Sequence, residues 1–490
     1  MAITVQGPTG VFQPSYPDII DKYGVVTKMF TSSFKEYFTS SGAVSYSVAK
    51  SLRFRSSASA YLNRTPAVSG NTNTWTWSGW VKRGTSGFQA IYNTSLTGNS
   101  NAVLGSIYFD ASDALLFYQY NLGTTYTYLA STQLFRDYAA WYHIAIAYDD
   151  AQATASNRVK IYVNGAQITS FSTATYPTAS FGGYFNRAQP TYFAKDAELS
   201  PGPYFDGELA EINFVDGQAL APTAFGAYST YNQWLPIRYA GTYGTNGFYL
   251  PFTNTASTST LVADSSGNAN NWTPNNISLT AGSTYDSLTD VPTLTSTTVA
   301  NYAVLNPLKN SLTLSAANLN WVGVSSATKS AMATMAVTSG KWYFEGTVTS
   351  TSVTGNWAFG LTNDLNASTT VSPWIAATGW ALITGLGGVN LSKVSNNVFT
   401  NIYSAASSIG AVIGMAFDVD AGKIWFSRNG TYLEGSPSAG TGASFTNLTG
   451  PAQPFVWGYD TSDQGSINFG QQPFTYTPPS GFLPLNTFNI

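Results

Sequence analysis

The chain is predicted to be all-β, with two tandem antiparallel β-sandwiches behind an N-terminal extension. Three observations predict this. First, Val159-Lys160-Ile161-Tyr162-Val163-Asn164-Gly165 and Lys423-Ile424-Trp425-Phe426-Ser427-Arg428-Asn429-Gly430 are both alternating strands that run into Asn-Gly. Each has an apolar strand just upstream, Ile144 to Tyr148 and Ile413 to Val419. Asn-Gly supplies the two positive-φ residues of a tight type I′ hairpin, so each pair marks the centre of an antiparallel unit. Second, from Leu52 onward short alternating runs are separated by Gly, Asn, Ser and Thr, the rhythm of a sandwich. Third, no long amphipathic helical pattern occurs anywhere.

Residues 1–48 form the extension. Pro8, Pro14 and Pro17 punctuate an extended start, and Tyr16 to Phe38 mixes aromatics with Asp18, Asp21, Lys22, Lys28, Lys35 and Glu36. Short helices are predicted at Asp18 to Lys22 and Ser33 to Phe38. The segment reads equally as an extension folded onto the body and as an arm that docks into a larger assembly. Residues 49–225 form the first sandwich. Trp75, Trp77 and Val81 lie on one strand. Trp141 to Tyr148 is another, with Ile144, Ile146 and Tyr148 on one face and His143, Ala145 and Ala147 on the other. Phe205 to Val215 is its last strand, before Asp216-Gly217 turns the chain.

Periodicity fades over 226–310. Asp264 to Asn271 is a polar turn cluster, Tyr285 to Pro292 reads as coil, and Leu294 to Val299 as one short strand. A structureless loop of this length is rare in a compact body, so the segment is expected to be an ordered connector. Residues 311–490 form the second sandwich, with strands at Gly340 to Gly346 and Trp357 to Leu361.

Composition narrows the function. Charged residues are 9% of the 490, against roughly 25% in an ordinary domain. Aromatics are 15%, with 31 Tyr, 29 Phe and 13 Trp, which argues against disorder. A surface of Ser, Thr, Asn and Gln repels neighbours weakly and suits packing against other copies or subunits. Net charge is −3 and no Lys/Arg-rich run occurs, so nucleic acid is not an expected partner. Cysteine is absent, which removes disulfides, thiolate zinc sites and cysteine nucleophiles. The residues after Met1 lack a secretory signal pattern. The longest apolar stretch, Ile409 to Phe417, is too short to span a bilayer. Synthesis and folding in a cytoplasm are therefore expected.

The first sandwich resembles laminin G-like and pentraxin-like jelly rolls, the concanavalin A-type lectin fold. The resemblance rests on Ser51-Leu52-Arg53-Phe54, Trp77-Ser78-Gly79-Trp80-Val81, Trp141-Tyr142-His143-Ile144-Ala145, Ile161 to Gly165, and Phe205-Asp206-Gly207-Glu208-Leu209-Ala210-Glu211-Ile212. The second sandwich resembles a SPRY domain through Gly340 to Glu345, Trp357 to Leu361, Ile413 to Asp418 followed by Ile424 to Gly430, and Ile467 to Phe474. Asp216 to Leu220, Tyr243 to Leu250 and Asp264 to Asn268 join the two. That combination resembles structural proteins of tailed bacteriophages. The resemblance implies a non-enzymatic virion component of tail-fibre or adhesin type. Its expected partners are host-surface carbohydrate, other virion proteins and further copies of itself, with a trimer as the expected order. A purely structural capsid decoration protein is the alternative.

Candidate sites follow from chemistry. With no cysteine and His143 as the sole histidine, catalysis would have to begin with carboxylates. No Gly-x-Ser-x-Gly elbow supports a triad, and His143 reads as a packed strand residue. Asp206-x-Glu208-x-x-Glu211 has the spacing of jelly-roll glycosidases with two acid types exchanged. On a regular strand Asp206 and Glu208 share a face and Glu211 points away, unless a bulge intervenes. A hydrolase is thus the third, least favoured reading, and no residue is assigned a catalytic role. Asp264, Ser266, Asn268 and Asn270 place oxygens at alternate positions, as calcium requires, but only one is charged and Gly267 stands fourth where a calcium loop has glycine sixth. The segment reads as a polar turn that allows calcium, the only cofactor in view. Sugars need aromatic faces beside polar groups. Tyr126, Tyr128, Tyr184, Phe185, Trp374 and Trp380 are the aromatic candidates. Trp374 and Asn429 would lie on the partner-binding loops that SPRY modules carry.

Overall fold

A computed structural model describes residues 26–27, 46–95, 104–121, 123–196, 203–324, 328–351, 356–384, 390–404 and 409–490. The predicted helices at 18–22 and 33–38, and most of the proposed docking arm, lie outside the described residues. The end of the extension is tied down. The Tyr46 hydroxyl donates to Glu211 Oε2 at 2.6 Å, and Val48 lies buried against Trp80, Trp141 and Val291.

Two sandwiches account for the architecture, as the alternating patterns predict. In the first, one sheet runs Ala166–Gln167, Val159–Val163, Tyr142–Asp149, Thr74–Arg83, Gly207–Asp216, Ser51–Phe54 and Ser287–Leu288, with Phe248–Leu250 also paired to Gly207–Asp216. The facing sheet runs Phe171–Thr175, Thr124–Leu134, Ala114–Asn121, Leu104–Phe109, Gln89–Ser95, Thr191–Phe193, Tyr61–Arg64 and Thr273–Asn275. Between them Trp75 stacks on Tyr148 at 5.1 Å and 7° and touches Phe117, Phe185 and Phe214. Such aromatic pairs add about 0.5–1.5 kcal/mol each beyond their buried area.

The second sandwich has two seven-stranded sheets. Lys341–Ser350 pairs with both Val412–Asp418 and Gln464–Asn468 at the centre of one. Trp357–Thr362 lies between Gly379–Thr384 and Gln453–Gly458 at the centre of the other.

The 226–310 segment is ordered, but it is more than a bridge. Phe248–Leu250, Thr273–Asn275 and Ser287–Leu288 are strands of the first sandwich, while Leu305–Asn310 is an edge strand of the second. These strands are mostly two or three residues long, too short to print a period in sequence. At 294–299 the expected strand is instead a tight turn closed by a single bridge between Ser296 and Val299.

The two Asn-Gly turns are built alike. Asn164 and Gly165 have φ of +48° and +81°, and Asn429 and Gly430 have +49° and +79°. Each asparagine side chain accepts a backbone N–H from across the turn, from His143 at 2.8 Å and from Val412 at 2.9 Å. Each glycine is also roofed by a ring from a later segment, Trp234 over Gly165 and Tyr476 over Gly430.

This predicts an order of damage. At Gly217, φ is +86° and a Cβ would meet nothing within 4 Å, so Gly217→Ala isolates the backbone cost, about 1–2 kcal/mol. At Gly165 a Cβ would lie 2.4 Å from the Trp234 ring. Gly165→Ala therefore destabilises the fold by more than Gly217→Ala, as read by urea unfolding.

Candidate functional site

The acidic strand Gly207–Asp216 is the natural place to look for chemistry. It carries a β-bulge between Ala210 and Asn213, with Glu211 at φ +53°. The bulge turns Glu211 onto the same outward side as Glu208, which a regular strand would have prevented. That side, however, is covered by the segment that follows. Lys82 Nζ pairs with Asp290 Oδ2 at 2.7 Å, and the Trp141 indole donates to Asp290 Oδ1 at 3.0 Å. Arg53 and Arg55 both pair with Asp286, at 3.2 and 2.8 Å. Val48, Trp80, Trp141, Ala210, Trp234 and Val291 form an apolar layer beside these pairs.

Each carboxylate of the motif is consequently occupied with structure. Asp206 accepts Ser56 Oγ at 2.8 Å and the backbone N–H groups of Ala316 and Ala317 at 3.0 and 2.5 Å. Ala316, Ala317 and Asn318 form a left-handed run with φ of +57°, +59° and +62°. Successive N–H groups in such a turn make a concave anion seat, and Asp206 fills it. It thereby links the first sandwich to the start of the second. Glu211 accepts the Tyr46 and Tyr249 hydroxyls, and the Arg238 guanidinium lies 3.4 Å from the Tyr249 ring centre. Burial pushes its carboxyl up while the two tyrosine donors pull it back.

Glu208 is fully buried and hydrogen-bonded to Ser51 Oγ at 3.1 Å. Burial, helped by the charge of Asp290, pushes it up to about 8 against the opposing pull of Lys82 and Arg53. His143 is likewise sealed. It lies between the Trp80 and Trp234 rings with Nε2 2.9 Å from Ser78 Oγ, and burial depresses it to about 3. It stays neutral, packed as a strand residue.

The facing sheet is different. Its outward side carries Tyr108, Tyr118, Tyr120, Tyr128, Tyr61 and Tyr192, all partly exposed. The register aligns three of them in a row across six strands: Tyr128 opposite Tyr118, Tyr118 opposite Ser106, Ser106 opposite Asn93, Asn93 opposite Tyr192, and Tyr192 opposite Asn63. Tyr118 meets Tyr120 at 5.9 Å and Tyr128 at 5.6 Å. At the far end Tyr61 meets Tyr192 at 6.3 Å and Tyr204 at 6.1 Å. Asn93 donates through Nδ2 to Ser106 Oγ at 3.1 Å and leaves its carbonyl oxygen without a hydrogen bond.

Of the aromatic candidates, Tyr128 belongs to this row and Tyr126 lies at its rim, stacked on Phe181 at 4.7 Å. The others do not offer a ring face. Phe185 is in the core against Trp75 and Phe117. Tyr184 is buried beneath Tyr126 and Phe181. Trp374 packs on Phe455 and Trp457, and Trp380 is in the second core with its indole donating to Asn447. Asn429 is exposed, but its side chain closes the hairpin turn. The sequence reading missed Tyr61, Tyr108, Tyr118, Tyr120 and Tyr192. The available signal was the period-two spacing of Tyr118-x-Tyr120 and Tyr126-x-Tyr128 on successive strands.

The calcium candidates do not converge as ligands. Asp264 accepts the backbone N–H groups of Tyr249, Ser266 and Asn270 and the Ser266 hydroxyl. Asn268 and Asn270 turn their Nδ2 groups to the carbonyls of 244, 245 and 247. Four donors already satisfy the only charged ligand, so the residues fit a polar turn and do not fit a calcium cage.

Two predictions follow from the electrostatics. Glu208 binds a proton more tightly folded than unfolded, so its contribution is present at low pH and lost as pH rises toward about 8. His143 acts oppositely, but only between about 3 and its ordinary value of 6.5. Stability in urea therefore falls between pH 6.5 and 8, and Glu208→Gln flattens that fall. Addition of EDTA leaves the melting temperature unmoved, whereas Asp264→Ala lowers it.

Comparison with known proteins supports the same division. The concanavalin A-like lectin/glucanases superfamily matches residues 56–224, and the SPRY domain matches residues 341–472. No curated protein matches the chain. Among solved structures, the SPRY domain of human HERC1 is 15% identical, over 31% of this chain and 87% of that one, with a TM-score of 0.24. A native heptameric SAP-like pentraxin from Limulus polyphemus is 14% identical over 36% and 80%, with a TM-score of 0.26. A proposed carbohydrate binding protein from Bacteroides ovatus is 17% identical over 47% and 59%, with a TM-score of 0.28. The chain thus carries a concanavalin A-like domain followed by a SPRY domain, two folds that typically serve binding.

Proposed function

We propose that this chain is a non-enzymatic, glycan-binding component of a tailed-phage particle, and that the tyrosine side of its first sandwich holds the sugar. The observation that carries the reading is the transverse row from Tyr128 to Asn63. Sugar rings offer apolar C–H faces and a fringe of hydroxyls. Partly exposed tyrosine rings match the first, and their hydroxyls with the half-buried Asn63 match the second, in the manner of apolar sites oriented by a few polar groups.

The non-enzymatic part is supported by the employment of Asp206, Glu208 and Glu211 in structural contacts beneath the 286–291 segment. The virion part is supported by the phage-like joining segments and by a composition only 9% charged, which favours assembly with further copies or other virion proteins. Residues 1–48 are the proposed docking arm.

Glycan-array binding by the full chain tests the site. Tyr118→Ala and Tyr192→Ala should each lower affinity about tenfold, the loss of roughly one ring contact of 1–1.5 kcal/mol. Unchanged binding in both would remove the site, and sugar release from any array polymer would remove the non-enzymatic part. Antibody labelling of purified particles by electron microscopy reads the virion part separately.

A further inference from the structure

Resting on that glycan-binding reading, we propose that the two tyrosine clusters are two subsites of one ligand, an uncharged oligosaccharide lying across the strands. One cluster is Tyr118, Tyr120 and Tyr128, and the other is Tyr61, Tyr192 and Tyr204. All but Tyr204, which is bridged to Lys195 just beyond the sheet, stand on strands of the same sheet. Tyr118 and Tyr192 are separated by the strands of Ser106 and Asn93, so three strand spacings, roughly 14 Å, lie between the two clusters. A chain running along a strand would meet only Tyr118 and Tyr120. A chain running across the strands meets both clusters.

The strands between the clusters carry no charge, and the acids that act on Tyr108 beside them, Asp110 and Asp196, would repel a sugar acid. Ser106 and Asn93 between the clusters are 3% and 1% exposed and bonded to each other, so they hold the clusters at a fixed separation and the tyrosine rings make the contacts. The eight strands of this sheet contain a single charged residue, Arg64. It turns away, to Asn246 and Asn270. Lys195, just beyond the last cluster, holds its ammonium over the Tyr61 and Tyr192 rings at 4.6 and 5.1 Å. Nothing in the strands themselves is suited to anchoring a sugar acid.

Two linked weak contacts bind as one strong one, with gains of about 10²-fold or more when the spacing matches. The test is calorimetric titration of the full chain with oligosaccharide ladders, from monosaccharide to hexasaccharide, derived from glucan, galactan, mannan and polygalacturonate. Short neutral sugars should bind weakly at two per chain. A neutral hexasaccharide should bind at one per chain, about 10²-fold tighter, with no dependence on salt. Tyr118→Ala and Tyr192→Ala should each lower hexasaccharide affinity about tenfold and weaken short-sugar binding at one of the two sites only. Affinity that does not grow with length, or two hexasaccharides per chain, overturns the two-subsite proposal while the glycan site stands. Salt-sensitive preference for the galacturonate ladder overturns its uncharged character. Binding by no ladder, or binding unaffected by both Tyr118→Ala and Tyr192→Ala, overturns the glycan site itself.

Discussion

Asp286 and Asp290 fix where every surface of this protein ends up. They face Arg53, Arg55 and Lys82 on the outward side of the first sheet, with Glu208 beside them, in a cluster of three acids and three bases. In a chain so poor in charge this is a notable concentration. Removing one partner of such a buried pair costs about 3–5 kcal/mol, because the other charge is stranded in an apolar layer. The segment around 286–290 therefore has one place to lie. Once it is there, Asp206 meets the left-handed turn at 316–318, and the second sandwich begins from a fixed point.

The same clamp separates structure from recognition. The acidic strand has the spacing of a glycosidase motif, and its bulge even brings Glu208 and Glu211 to one side. The covering layer then turns those acids into anchors for Ser51, Tyr46, Tyr249 and the backbone of 316–317. The facing sheet instead presents the partly exposed Tyr128, Tyr118 and Tyr192 in register on its outward side. In the second sandwich two outward patches are packed over, while the edge strand Val398–Ser404 stays largely exposed. Trp374 with Phe455 and Trp457 closes one, and Phe474 and Phe482 against Tyr343 and Trp425 close the other. Glu345 ties the latter segment down by accepting the Thr475 and Tyr476 N–H groups, each at 2.8 Å.

Covering by a later segment recurs at the hairpins. Trp234 roofs Gly165 and Tyr476 roofs Gly430, so each Asn-Gly turn is both a local conformational device and a docking point for chain that arrives afterward. The sequence marks the turn, because positive φ at two successive residues demands Asn-Gly. It does not mark the roof, because any aromatic among the 73 in this chain looks alike until the chain folds back.

The sequence by itself determined the all-β class, the two sandwiches and their central hairpins, because period-two alternation and turn chemistry are local and written into adjacent residues. It also picked out Tyr126 and Tyr128 as ring candidates, but as loop residues, whereas both stand within the strand Thr124–Leu134. Only the tertiary structure decided that Tyr118 and Tyr128 stand opposite one another and in line with Tyr192, that Phe185, Trp374 and Trp380 are interior, and that 226–310 supplies strands to both sandwiches. Those outcomes depend on strand register and on which buried charges find each other across more than 200 residues. Neither is a property of a neighbourhood in sequence, since a one-residue slip would send every ring to the opposite face.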